Sequence, residues 1–245
     1  MQMNVEPNVV ITEFIVDVDN FYHHIDNSNI NIEQQVQKLA QSLKHFNVPL
    51  YTLTNSNEEK DAVDFHIIHM DLAKNYTGLT VFFHRLVLAF RFLQAHPEIE
   101  KAIISDASDV TMLNYPFDSM EDDKLYMGDE WGIMGDTYVL HSDRDPFFIK
   151  KFIAENQLLP TMNMGIIAGT REILIEYLGI IIQLISDSQV KVRQGDSTAA
   201  LGNHDMELGN YVAYRYFADR LIHGRKINTI FQGFQSISSA WLEHK

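Results

Sequence analysis

Three consecutive segments near the start of the chain limit its fold more than any other feature. Residues 9–18 (VVITEFIVDV) are rich in β-branched side chains and show no helical face, which predicts a strand region. Residues 31–46 (NIEQQVQKLAQSLKHF) set Ile32, Val36, Leu39, Leu43 and Phe46 on one side of a 3.6-residue period, which predicts a helix. Residues 48–53 follow as a second strand, and a polar loop from Asn55 to Asp61 closes the unit. Strand, helix and strand in that order predict a right-handed crossover between parallel strands, and therefore an α/β architecture.

The rest of the chain repeats the alternation. Strands are expected at 65–70, 102–104, 125–130, 162–169 and 221–224, and helices at 80–95, 147–155, 173–185 and 205–219, with Thr170 as an N-cap. Polar segments at 55–64 and 186–204 are expected to be mobile loops. No internal repeat or low-complexity tract divides the chain. With 245 residues and 46% hydrophobic content, a single domain spanning 1–245 is expected.

Composition excludes several classes of function. The formal net charge is −14 and no run of Lys or Arg exceeds two, which argues against a nucleic-acid groove or an electrostatic grip on anionic lipid. The chain has no cysteine, so thiolate metal sites, disulfides and cysteine nucleophiles are excluded and a cytoplasmic location is expected. The first fifteen residues lack a basic leader, and the apolar run at 173–185 is too short to span a bilayer. No transmembrane segment is expected, and any contact with the inner face of a membrane would come through a partner or a larger polypeptide.

Chemistry concentrates where the strand at 102–104 runs out, in Ser105-Asp106-Ala107-Ser108-Asp109-Val110. Open α/β sheets bind ligands outside the carboxyl ends of their strands. Carboxylates there suit Mg²⁺ or Mn²⁺, which keep waters and bridge to substrate phosphates. The competing reading is a turn capped by Asp106 and Ser108 with Asp109 merely solvated.

Four pieces in fixed order resemble the nucleotide-sugar glycosyltransferases of the GT-A fold, particularly glycosyltransferase family 8 and related bacterial sugar-nucleotide transferases. They are His84-Arg85 heading the helix that leads to Asp106 and Asp109; Asn163-Met164-Gly165-Ile166-Ile167; Asp205-Met206 with Asn210-Tyr211; and His223-Gly224. The family spaces its carboxylates Asp-x-Asp, whereas this chain has Asp-x-x-Asp, so Asp109 aligns better than Asp106. The resemblance implies a Rossmann-like, mixed and mainly parallel sheet flanked by helices. It also implies a metal-dependent hexosyltransferase that takes a nucleoside diphosphate sugar, UDP-linked, to a glycan hydroxyl in bacterial surface polysaccharide assembly.

On that resemblance Asp106, Asp109 and His223 would hold Mn²⁺ or Mg²⁺, an imidazole ligand favouring Mn²⁺. Arg85 and Asp106 would face the donor, Asn163 and Gly165 the sugar or the acceptor, and Asp205 would position one of them. An inverting reaction would need a carboxylate base, with Asp205, Glu207, Asp129 and Glu130 as candidates. Each residue also has a structural reading. Asn163 can satisfy strand-end backbone, Gly165 can serve packing, Asp205 and Glu207 can complement a helix start, and Arg85 can pair with a carboxylate. Two other functions compete: a nucleotidyltransferase or metal phosphohydrolase using the same acids, and a non-catalytic carbohydrate-binding domain of the same fold.

Overall fold

The computed structural model describes residues 5–18, 30–76, 78–137, 140, 144–229 and 238–244. The first unit is β1 (Asn8–Phe14), α1 (Ile32–Gln35), α2 (Gln37–Lys44) and β2 (Leu50–Thr54), followed by β3 (Lys60–Ala62) and β4 (Phe65–His69). Next come α3 (Val81–Ala95), β5 (Lys101–Ser105), β6 (Val110–Met112) and β7 (Leu125–Ile133). The chain continues through α4 (Phe147–Glu155), β8 (Pro160–Thr170), α5 (Arg171–Arg193), α6 (Met206–Tyr216), β9 (Leu221–His223) and β10 (Leu242–His244).

Eight strands form one sheet in the order β3-β4-β2-β1-β5-β8-β7-β9. The stretch β4-β2-β1-β5 is parallel, β8 runs antiparallel to both β5 and β7, and β9 is parallel to β7. This is the mixed, mainly parallel sheet flanked by helices that the alternating pattern anticipates.

Both faces of the sheet are covered, which is why its central strands read as apolar runs rather than as alternating ones. Val9, Ile11, Ala102 and Ile104 join the core under α3 and α5, while Val10 and Ile103 join the core on the face of α1 and α2. Each such fully buried aliphatic side chain contributes roughly 1.5–3 kcal/mol from the area it removes from water. Strand β1 pairs with β2 on one side and β5 on the other, so the order of connection reverses beside it. Crevices at such reversals are where α/β sheets hold ligands.

Several boundaries differ from the sequence reading. The first strand ends at Phe14, because the side chain of Asn55 takes over the backbone of Val16, accepting its N–H at 2.8 Å and donating to its carbonyl at 2.8 Å. The expected loop after β2 contains the short strand β3. The helix at 31–46 is two helices, with the Asn31 side chain capping α1 through the Gln34 N–H at 2.9 Å. The first half of the expected loop at 186–204 is helical instead. There the Ser186 hydroxyl donates back to the Ile182 carbonyl and the Ser188 hydroxyl to Ala199, so the polar side chains find partners without breaking α5.

At 23 residues, α5 is the one helix among the described residues long and apolar enough to cross a bilayer. It packs Ile173, Leu174, Tyr177, Leu178, Ile181 and Ile185 into the core. The sequence pattern also gave no sign of the small antiparallel sheet made by β6 and β10, in which His244 lies opposite Val110.

Candidate metal centre

Asp106 and Asp109 occupy the turn between the end of β5 and the start of β6, so one carboxylate follows the main sheet and the other precedes the small sheet. Pairing of β10 with β6 sets His244 opposite Val110, the residue after Asp109. The His244 Nε2 stands 3.4 Å from Asp106 Oδ2 and 3.7 Å from Asp109 Oδ2. One ligand atom from each of the three residues lies within 4.8 Å of the other two.

The His244 ring is 1% exposed and its Nε2 makes no hydrogen bond. A buried ring nitrogen left without a partner costs free energy, and a cation shared with the two carboxylates would satisfy it. The donor set, two hard oxygens and one imidazole, is compatible with a divalent metal.

The surrounding residues shape this cluster. Gly165 on β8 leaves the space the three side chains fill: a Cβ there would lie 2.5 Å from Asp106 Oδ2, 2.6 Å from His244 Cε1 and 2.8 Å from Asn163 Oδ1. Arg85, from the second turn of α3, donates to Asp106 Oδ1 at 2.6 Å and to the Met164 carbonyl at 3.2 Å. Its Nε lies 3.5 Å from Glu13 Oε2. Burial pushes the Glu13 carboxyl up to about 8, against the opposing pull of Arg85. Asn163 accepts the Gly165 N–H at 2.6 Å and donates to Glu130 Oε2 at 2.6 Å. Arg85, Asp106, Asp109, Asn163, Gly165 and Glu130 therefore form one contiguous group.

The histidine expected in that group is not the one found there. His223 on β9 bonds Asp129 through Nδ1 at 2.8 Å. In the sheet order β9 is separated from β5 by β8 and β7, which at the usual strand spacing of ~4.8 Å places it roughly 14 Å away. The place beside the aspartates belongs to His244.

Asp205 stands at the N-cap position of α6, 3% exposed, without capping the helix through its side chain. Its charge reaches both Glu13 and Arg85, which sets it on the cluster's side of the molecule. Glu207 is 1% exposed, and neither carboxylate oxygen has a hydrogen-bond partner. Burial, with the charge of Asp145 next, pushes its pKa up to about 9. A carboxyl neutral at pH 7 does not suit the base role that the sequence left open for it. Asn210 is structural: its side chain accepts the Met162 N–H at 2.7 Å and donates to the Met162 carbonyl at 2.9 Å, holding α6 to β8.

No family model matches the chain, and no curated protein matches it. Among solved structures, a glycosyltransferase involved in the glycosylation of the major capsid of PBCV-1 is similar over 97% of this chain and 91% of that one, with a TM-score of 0.50 at 12% sequence identity. The chain has a glycosyltransferase-like fold. At that identity the fold is what the two proteins share, and it is the fold in which the Asp106, Asp109 and His244 cluster sits at the end of β5.

His244 and Glu13 are the residues of the group that sequence reasoning passed over. Glu13 had a visible sign, a lone acid inside the apolar run 9–15. His244 had a weaker one, a histidine closing the short run Trp241-Leu242-Glu243.

Proposed function

We propose that this protein is a metal-dependent glycosyltransferase that moves a hexose from a nucleoside diphosphate sugar, UDP-linked, to a glycan hydroxyl. The observation that carries the reading is the buried His244 Nε2, without a hydrogen bond and facing two carboxylates at the carboxyl end of a central strand, in a glycosyltransferase-like fold. The family 8 resemblance of the pieces that carry Arg85, Asp106, Asp109, Asn163 and Gly165 supports the same donor class.

Asp106, Asp109 and His244 would hold the ion, and the imidazole favours Mn²⁺ over Mg²⁺. Its chemistry there would be to neutralise charge on the departing diphosphate. Arg85, fixed between Glu13, Asp106 and the Met164 carbonyl, keeps the Asp106 carboxylate oriented toward the cluster. Gly165 keeps the approach open. Glu130, tethered by the Asn163 amide, would receive the proton of an attacking hydroxyl, with Asp205 as the second candidate.

Calorimetric binding of UDP with and without Mn²⁺ tests the reading. Metal-dependent binding in the wild type that is lost in Asp109→Ala and His244→Ala is expected. UDP binding indifferent to metal, or to both substitutions, would overturn it.

A further inference from the structure

Strand β7 carries an irregularity that the metal cluster does not explain. Asp129 pairs with Met162 and Ile133 with Pro160, so four steps along β7 answer two along β8. The extra residues fall within Glu130-Trp131-Gly132, and Gly132 turns the chain with a φ of 99°, in the left-handed region that favours glycine. Bulges are frequent beside active sites, where they re-aim a side chain. This one sets an acid and an indole side by side.

The acid is fixed. Glu130 Oε2 accepts the Asn163 amide at 2.6 Å and Oε1 accepts the Trp131 N–H at 2.9 Å, so the carboxylate is held between the bulge and β8. Asn163 also accepts the N–H of Gly165, the residue packed against Asp106. Trp131 thus stands one residue beyond an acid that hydrogen bonds connect to the metal cluster. It is 68% exposed, whereas Trp241, the other tryptophan of the chain, is 4% exposed. A lone exposed apolar side chain is ordinary. An indole on a bulge beside a fixed carboxylate offers two complementary surfaces to one ligand: the carboxylate accepts hydroxyls, and the aromatic face covers C–H groups. A sugar ring presents both.

Position separates this pair from the donor. In the sheet, β7 lies two places from β5 with β8 between them, roughly 10 Å away at the usual strand spacing. The aspartates that would hold the ion and its diphosphate are on the β5 side, and the bulge is beyond β8. We propose that Trp131 is the platform for the sugar ring of the acceptor glycan, which lies with its C–H face on the indole while Glu130 accepts one of its hydroxyls. The name acceptor rests on the glycosyl-transfer reading, and sugar binding at the bulge rests on Glu130 and Trp131 alone.

The test is NMR of the ¹⁵N-labelled protein titrated separately with the methyl glycosides of glucose, galactose, mannose and N-acetylglucosamine. The two tryptophans give two indole N–H signals, and Trp131→Phe assigns them. At least one glycoside should shift the Trp131 indole and the Gly132 amide while the Trp241 indole stays in place. Followed at Gly132, Trp131→Ala should weaken that binding about 10-fold. Trp131→Phe, which keeps an aromatic face, should weaken it about 3-fold. Exposure of the position lets both variants keep the fold. Unmoved Trp131 and Gly132 signals with every glycoside, or equal affinity in Trp131→Ala and the wild type, would overturn the platform. So would a Trp131 signal that moves with protein concentration and not with glycoside, which would make the indole a contact between copies of the chain. Mn²⁺-dependent UDP binding on the same samples reports separately on the transferase reading. Glycoside shifts without UDP binding would refute the donor and keep the sugar platform, and UDP binding without shifts would do the reverse.

Discussion

Among the described residues, the histidine–aspartate groupings on β9 and β10 differ in what surrounds the ring. His223 sits on the edge strand β9, partly exposed, with Nδ1 committed to a single carboxylate, Asp129. His244 is buried, with Nε2 facing the carboxylates of both Asp106 and Asp109 and bonded to neither. The first pair is a hydrogen bond already made. The second is an arrangement compatible with a divalent cation. Residue type is the same in both, so convergence of a third ligand decides which pair can hold a metal.

The sharpest break between the two pairs should come from removing each ring. His244→Ala is expected to weaken Mn²⁺-dependent UDP binding on the order of 100-fold or more, measured by calorimetry. His223→Ala should leave that affinity within about 2-fold, and a large loss there would return the ligand role to β9. Next in size is Gly165→Ala. Its Cβ would lie 2.5 Å from Asp106 Oδ2, so the cluster has to open. A loss of about 1–3 kcal/mol in stability, read by urea unfolding, should accompany about 10-fold or greater loss of Mn²⁺ affinity. Unchanged Mn²⁺ affinity would show that the three side chains do not act together.

A third prediction concerns two buried acids, Glu13 and Glu207. Glu207 is raised from 4.5 to about 9, and Glu13 to about 8. A folded state that holds these protons more tightly than the unfolded chain is favoured at low pH and loses that advantage as pH rises from about 4.5 toward 9. Glu207→Gln should therefore be more stable than wild type at pH 9, on the order of 5 kcal/mol, with the gap closing below pH 5. Thermal melts across that range would show it, and parallel melting curves at all pH values would contradict the neutral state of Glu207. The smallest effect is expected at the half-buried β9 pair itself. His223→Ala should cost less than about 1 kcal/mol in stability, because Asp129 keeps the Asn228 amide on its backbone N–H and carbonyl.

The sequence made the first pair of aspartates legible and hid their histidine, for one physical reason. Asp106 and Asp109 follow Ile103-Ile104 directly, so strand and acids belong to the same local pattern. The alternation of strands and helices is equally local, and so is the placing of Arg85 near the head of α3. His244 reaches the site only through the register of β10 on β6, a pairing between three-residue strands far apart in the chain. A three-residue strand carries too little periodicity to be read, and ordering motif fragments along the chain favours the earlier His223-Gly224. The polar run Ser186-Asp187-Ser188 misled in the opposite sense. Its composition suggests a loop, but hydroxyls that bond to nearby carbonyls fit within α5 and against the segment after it. The neutral state of Glu207 was equally out of reach, because burial by tertiary packing sets it.

The pairing of β10 with β6 also orders events in time. Asp106 and His244 are brought together by one of the longest loop closures the chain makes, and contacts of that kind form late because their entropy must be met before they reward the chain. The grouping of Asp106, Asp109 and His244 thus exists only in molecules in which β10 has docked on β6. A cation that bound the grouping would select those molecules and raise their population by mass action, so that a metal-dependent gain in stability would report completed folding.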